Sequence, residues 1–409
     1  MNPEVESALA ALRPYPEDGS RADGPVAVDA TDRLLLDEAA TLLTPEDDRV
    51  VIIGDRFGAL TLGALALGAR HVDVHTDAVT AETALRANSD PAARTADRPD
   101  ADPTPGYTLH DSLSPDLLRG ARLVLLQLPT SLAELTEIAE HVAREADPAV
   151  ILLAGGRVKH MTRAMNDVLG ASFRQVSASL ARQKSRLLIA REPRPDVGPL
   201  TYPVTARLTD PEIAHALAPA RQAAGLAVVA HGAAFAGAGL DLGTRFLLAQ
   251  AHRWPASPAV AVDLGCGTGI LAAVLALRSP ATRVIATDRS AAACASARAT
   301  LAANGVAGTV LRDDAGAALA DDSADLVLLN PPFHDRAALS TDAAHRMFAT
   351  AGRVLRDGGE LWTVFNTGLH YRNALERAVG PTEHVAQNTR FTVTRSVRKL
   401  LTDVSVEAG

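Results

Sequence analysis

The residues best suited to chemistry are Asn330-Pro331-Pro332-Phe333. A planar exocyclic amine delocalises its lone pair into the ring and is a poor nucleophile, so a protein that alkylates it must hold the nitrogen in line with the electrophile. The Asn330 side-chain oxygen and the Pro331 carbonyl offer two acceptors for the amine hydrogens. The prolines stiffen the turn, and Phe333 offers a face on which a base can stack. A strong general base is not needed, since the proton can leave after the nitrogen has become cationic. His334 reads as a loop histidine. Some 67 residues earlier, the apolar run Val260–Val262 stops at Asp263 and opens into Gly265, Gly267 and Gly269. A GxGxG loop with an acid just before it differs from the GxGxxG pyrophosphate fingerprint and suits a ligand with an amino-acid moiety. Asp288, at the end of the next apolar run, is placed to accept from both hydroxyls of a ribose.

These side chains need strands to carry them. The sequence predicts a strand at Val260–Val262, a helix over Ile270–Leu277, and strands over Arg283–Thr287 and Asp325–Leu329. A helix over Thr341–Leu355, a turn at Asp357–Gly359, a strand over Glu360–Phe365, a helix around Tyr371–Val379 and a strand pair ending near Leu400 complete this half. The first half follows the same plan: a helix over Asp32–Leu43, a strand at Val50–Ile53 followed by Gly54-Asp-Arg-Phe-Gly-Ala-Leu60, and a strand at His71–His75. Asp73 or Asp77 then falls near the place of Asp288, and Leu123–Thr130 echoes Leu326–Phe333. Asp55 stands 72 residues before Gln127, against 67 from Asp263 to Asn330. The matching order and spacing suggest an internal duplication. The first copy is expected to keep the fold without the chemistry, because Gln127-Leu-Pro-Thr130 lacks both the asparagine and the aromatic. Ala87–Tyr107 reads as a surface loop and Glu192–Pro199, ending near Pro203, as the linker. Domains at 1–195 and 205–409 follow.

Charge is polarised along the chain. Against a net −8, residues 1–150 hold 12 basic and 27 acidic side chains, whereas 157–191 hold eight basic ones and Asp167 alone. Arg157, Lys159, His160, Lys184 and Arg186 form a candidate RNA phosphate-binding surface, and Arg390, Arg395, Arg398 and Lys399 either extend it or solvate an edge strand. Two cysteines, Cys266 and Cys294, provide neither a disulfide framework nor a metal cluster. Met1–Ser20 carries acids where a targeting segment needs a basic start, and no run of eighteen large apolar residues occurs. A soluble, cytoplasmic protein is expected.

The glycine loop with Asp263 and Asp288 resembles the cofactor site of class I methyltransferases. Asp55–Leu60, Gly155–Thr162, Gly239–Phe246, Asp263–Gly269, Asn330–His334, Ala338-Leu339 and Met347-Phe348 together resemble the bacterial ribosomal RNA guanine-N2 methyltransferases that carry a duplicated, degenerate N-terminal domain. The resemblance spans nearly the whole chain and is greatest for the large-subunit branch. It implies an α/β fold of two tandem Rossmann-like domains, the C-terminal one a seven-stranded, mostly parallel sheet with one antiparallel strand. It also implies S-adenosylmethionine as cofactor, held by Asp263, the three loop glycines and Asp288, with Asp314 or its neighbour Asp313 accepting from the adenine amino group. Phe235 and Thr244 are candidates for a lid, although Ala236-Gly237 replaces the polar and basic pair expected there. The implied partner is ribosomal RNA or a ribosomal subunit precursor, met by a monomer without metal or membrane. The alternatives are small-subunit guanine methylation, methylation of adenine or a protein glutamine, and a non-catalytic RNA-binding assembly factor.

Overall fold

The computed structural model of the chain describes residues 3–14, 26–43, 49–90, 106–196, 198–218, 225–332 and 337–399. Two compact units divide between Tyr202 and Pro203. The first contains β1 (Arg49–Ile53), β2 (His71–His75), β3 (Tyr107–Leu109), β4 (Leu123–Gln127), β5 (Ile151–Arg157), β6 (Phe173–Ala178) and β7 (Ser185–Pro193). The second contains β8 (Val204–Leu208), β9 (Leu226–Ala230), β10 (Val260–Leu264), β11 (Arg283–Asp288), β12 (Thr309–Arg312), β13 (Ala324–Leu329), β14 (Leu355–Asn366), β15 (Thr382–Gln387) and β16 (Phe391–Val397).

Each unit builds a seven-stranded sheet, in the orders β3-β2-β1-β4-β5-β7-β6 and β12-β11-β10-β13-β14-β16-β15. The orders are the same, and in each sheet one strand, β7 or β16, runs antiparallel to both neighbours. Successive residues of the central strands enter opposite apolar clusters. Val50 and Ile52 face one and Val51 and Ile53 the other; Ala261, Leu326 and Leu328 face one and Val262, Val327 and Leu329 the other. A parallel sheet covered by helices on both faces requires such all-apolar strands, and this is what makes them legible. The expected pair of α/β units is therefore present.

Several boundaries differ from the sequence reading. The first long helix starts at Ala30, because Asp29 caps it by accepting from Thr31 N at 2.7 Å while Asp32 accepts from Asp29 N at 2.7 Å. The helix expected over Thr341–Leu355 spans Ala337–Val354, and Asp357–Gly359 lies within β14, where the pairing with β13 slips between Ala324↔Leu355 and Leu326↔Glu360. Glu192 and Pro193 belong to β7 and not to a linker.

Strand β9 pairs with β8 on one edge. On its other edge, Ser296 Oγ and Thr300 Oγ1 of helix Ala291–Ala303 and Oδ1 of its C-cap Asn304, spaced four residues apart, accept from the backbone N–H groups of His231, Val229 and Ala227, each at 3.0 Å. Buried backbone donors must find partners, and this polar stripe supplies them. It also fixes where the chain leaves β9 for the loop that precedes helix Leu242–Leu248.

The register corrects the correspondence between the halves. Leu264 pairs with Leu329 and Ile53 with Leu126, so Asn330 does match Gln127. Asp263, however, matches Ile52, and Asp55 falls at the place of Cys266. Gly265 N and Gly54 N bond to Thr287 O and His75 O, so the residue matching Asp288 is Thr76, neither Asp73 nor Asp77. The Asp73 side chain instead takes Arg49 Nε at 2.7 Å and His110 Nε2 at 2.6 Å.

Candidate active site

Glycine loop Gly265–Gly269 joins β10 to helix Ile270–Arg278, whose N-cap Gly269 has left-handed φ, 77°. A Cβ on Gly269 would stand 2.9 Å from Ala297 Cα and Cβ, so this glycine lets two helices meet. Gly267 differs: its φ is 51°, and nothing lies within 4 Å of where its Cβ would be. It borders open space, as a cradle for a ligand requires. Gly265 has Met347 Cε over it, 2.8 Å from the position of an added Cβ.

Asp263 is buried, and one of its carboxylate oxygens accepts from Ala272 N at 2.9 Å. Burial pushes its pKa up to about 7. Asp288 accepts from Gly267 N and Ser290 N, both at 2.9 Å, through different oxygens. That fixes the carboxylate at the loop. Asp313 N bonds to Asp288 O, which brings the Asp313-Asp314 pair beside it. Asp314 carries an ion pair with Arg346, while Asp313 Oδ2 accepts from Ala318 N at 2.9 Å. Burial raises the Cys266 thiol well above its usual range and keeps it protonated.

Asn330 follows β13. Its Nδ2 donates to Thr244 Oγ1 at 3.0 Å and to the Asp241 carboxylate at 3.2 and 3.4 Å. Its Oδ1 is buried and has no hydrogen-bond partner among the described residues. Asp241 is the N-cap of helix Leu242–Leu248 and accepts from Gly243 N at 2.8 Å and Thr244 N at 3.2 Å. Gly243 leaves room for the amide, since its Cβ would be 3.0 Å from Asn330 Oδ1. Thr244, expected to face the cofactor from a lid, thus meets Asn330. Phe235 is 59% exposed in the loop after β9. Pro331 is buried, and Phe333 and His334 lie outside the described residues.

Asp241 is the functional candidate that sequence reasoning missed. Its signal was present as an aspartate three residues before a threonine at a helix start, an N-cap pattern.

In the first unit, Arg157 at the end of β5 pairs with Ser185, Gly156 pairs with Arg186, and Val158 N bonds to Lys184 O. A 3-10 turn, Val158–His160, carries Lys159 and His160. The five basic candidates are therefore gathered at one corner of the sheet. Near it Arg182 is paired with Asp37. At the other end of the chain Arg395 is paired with Glu360 and Glu383, and Arg398 with Asp322; β16, which carries Arg395, lies between β14 and β15, so the edge strand expected there is β15 instead.

The first unit repeats the asparagine arrangement with other residues. Gln127 Nε2 donates to Asp32, which stands three residues after N-cap Asp29 as Thr244 stands three after Asp241. Arg56 occupies the place of Gly267 and reaches Asp29 at 3.0 Å. Its side chain stands where the second unit has open space.

Among known proteins, the family description Methyltransferase small domain matches residues 225–395 and RLMG N-terminal domain matches 3–194. The ribosomal RNA large subunit methyltransferase G of Streptomyces avermitilis is 35% identical over 395 residues, covering 95% of this chain and 97% of its own. The protein of the same name from Pseudomonas aeruginosa is 34% identical over 374 residues, covering 90% and 93%. In fold, the chain is similar to the T. thermophilus 16S rRNA N2 G1207 methyltransferase in complex with AdoMet and guanosine, with TM-score 0.70, 20% identity and 95% of each chain covered. Among the described residues no helix is long and apolar enough to cross a membrane, and no group of three or more metal-ligating side chains occurs.

Proposed function

Because the chain belongs to the ribosomal RNA large subunit methyltransferase G family, we propose that it transfers the methyl group of S-adenosylmethionine to the 2-amino group of a guanine in large-subunit ribosomal RNA. The observation that carries this reading is the buried, unpartnered Asn330 Oδ1 beside the open glycine loop. A buried acceptor without a donor costs about 1–3 kcal/mol, and an amine hydrogen of the substrate would remove that cost.

The residues fit the cofactor. Gly267 gives the open approach, Gly265 and Gly269 shape the loop, Asp263 faces an α-amino group and Asp288 the ribose hydroxyls. Asp313 or Asp314 accepts from the adenine amine. When bound, the cofactor supplies a sulfonium-activated methyl group. Asn330 Oδ1 and the Pro331 carbonyl hold the amine hydrogens and aim the nitrogen lone pair, Phe333 stacks on the base, and Phe235 covers the site from its exposed loop. Positioning supplies most of the acceleration, because the leaving group is already activated. The basic corner of the first unit, Arg157, Lys159, His160, Lys184 and Arg186, holds RNA phosphates. The protein works as a monomer in the cytoplasm, residues 1–195 serving RNA binding and structure and 205–409 catalysis.

The test is transfer of labelled methyl to protein-free large-subunit RNA, small-subunit RNA and intact subunits, followed by nucleoside analysis. Label is expected as N2-methylguanosine in large-subunit RNA. Asn330→Ala should lower the rate by about 100-fold or more at unchanged cofactor affinity. Label in small-subunit RNA alone, or as another methylated nucleoside, would overturn the assignment.

A further inference from the structure

We infer that Asp241 and Thr244 are positioning residues that lock the Asn330 amide so that it presents only an acceptor to the substrate, and that this lock sets the enzyme's preference for an amine over a carbonyl. The inference rests on the guanine-amine reading given above and deepens it.

An asparagine side chain has two faces of opposite character, an oxygen that accepts and an NH2 that donates. Left free, it would serve an amine by one orientation and a carbonyl by the other, the two differing by rotation about one bond. Both Nδ2 hydrogens of Asn330 have acceptors on helix Leu242–Leu248: the Asp241 carboxylate at 3.2 and 3.4 Å and Thr244 Oγ1 at 3.0 Å. Asp241 is itself fixed by Gly243 N and Thr244 N, so it cannot turn away. Rotating the amide would set its oxygen against that carboxylate. The remaining polar atom is therefore Oδ1, buried and unpartnered, with Gly243 packed beside it. Guanine offers an amine at position 2 and a carbonyl at position 6. An acceptor-only reader takes the first and is repelled by the second, which fixes both the orientation of the base and the atom that is methylated.

The capping and locking roles of Asp241 can be separated, since asparagine caps a helix about as well as aspartate. Asp241→Asn keeps the cap and removes the acceptor-only face turned towards Asn330. It should fold, bind S-adenosylmethionine as the parent does, and lose roughly 10- to 100-fold in kcat with a smaller change in KM. Asn330→Asp sets two carboxylates together and should lose at least as much. The double variant, Asp241→Asn with Asn330→Asp, exchanges donor and acceptor: the new amide donates to the new carboxylate, whose other oxygen faces the amine. It should recover most of the loss of Asn330→Asp. At the second anchor, Thr244→Val should lower kcat and Thr244→Ser should restore part of that loss. Unchanged kcat in Asp241→Asn, or a double variant as poor as the two losses multiplied, would overturn the lock. A parent protein that methylates no RNA would overturn the function and not the lock. The lock would then be read from the Asn330 side-chain amide by NMR, where protection from hydrogen exchange, lost in Asp241→Asn and Thr244→Val, supports it and fast exchange in the parent refutes it.

Discussion

At the scale of residues, the site turns on which atoms are left over once all local bonds are made. Asn330 and Asp263 were legible because each interrupts an apolar run, Asn330 just after β13 and Asp263 one residue before the end of β10, and a polar residue there needs a reason. Asp241 could be read locally only as a helix cap, because its contact with Asn330 spans 89 residues and the cap pattern does not encode it. The same contact makes Gly243 exacting. Its Cβ would be 3.0 Å from Asn330 Oδ1 and 3.2 Å from both Asn330 Nδ2 and Asp241 Oδ1, so Gly243→Ala should displace the amide. A displacement of about 1 Å costs on the order of 100-fold in rate. A drop in kcat at unchanged melting temperature and cofactor affinity is expected; full activity would show that the amide has room to move.

At the scale of elements, strands buried on both faces and the glycine loop could be read directly, whereas the β6–β7 hairpin could not. Four of the six residues of β6 are exposed, so it shows no alternation, and it earns its place only by pairing with β7. It is the pairing of β7 with β5 that brings Lys184 and Arg186 to Arg157 and Lys159, a grouping that sequence proximity only half suggested. The loop glycines also separate by role. Gly267→Ala adds a methyl to open space at a left-handed φ, a backbone cost of roughly 1–2 kcal/mol, and should weaken cofactor binding by more than the melting curve records. Gly269→Ala meets helix backbone at 2.9 Å and should lower stability first. Calorimetric titration alongside thermal melts distinguishes the two; equal losses in both measurements for Gly267→Ala would contradict a cradle.

At the scale of the whole molecule, two units with separate cores allow the proposed division between holding RNA and transferring methyl to be tested. Replacing Arg157, Lys159, Lys184 and Arg186 together with glutamine should reduce the slope of log affinity against log salt by roughly 3, at about 0.7 per phosphate contact for single strands, and leave S-adenosylmethionine binding intact. An unchanged slope would move the RNA surface elsewhere. Stability carries its own pH signature. Burial raises Asp32 from 3.8 to about 7, so the folded chain keeps a proton that the unfolded chain loses. Its contribution is complete below about pH 4 and is lost as pH rises towards 7. Asp32→Asn should flatten the fall in melting temperature between pH 5 and 7, each 1 kcal/mol being worth roughly 2–4 °C. A parallel shift at all pH values would assign the proton to another group.

The transposition of an acid between the two loops has a mutational consequence. Asp55 Oδ2 accepts from Thr61 N at 2.8 Å, the third residue after left-handed Gly58, as Asp263 accepts from Ala272 N, the third after Gly269. One helix N–H is thus served from the loop in one half and from the strand in the other. Ile52→Asp alone would bury two carboxylates aimed at that single donor, and loss of Asp55 alone would strand Gly58 N, Thr61 N and the Thr61 hydroxyl. Either first step is unfavourable by itself, so the two arrangements do not interconvert one substitution at a time.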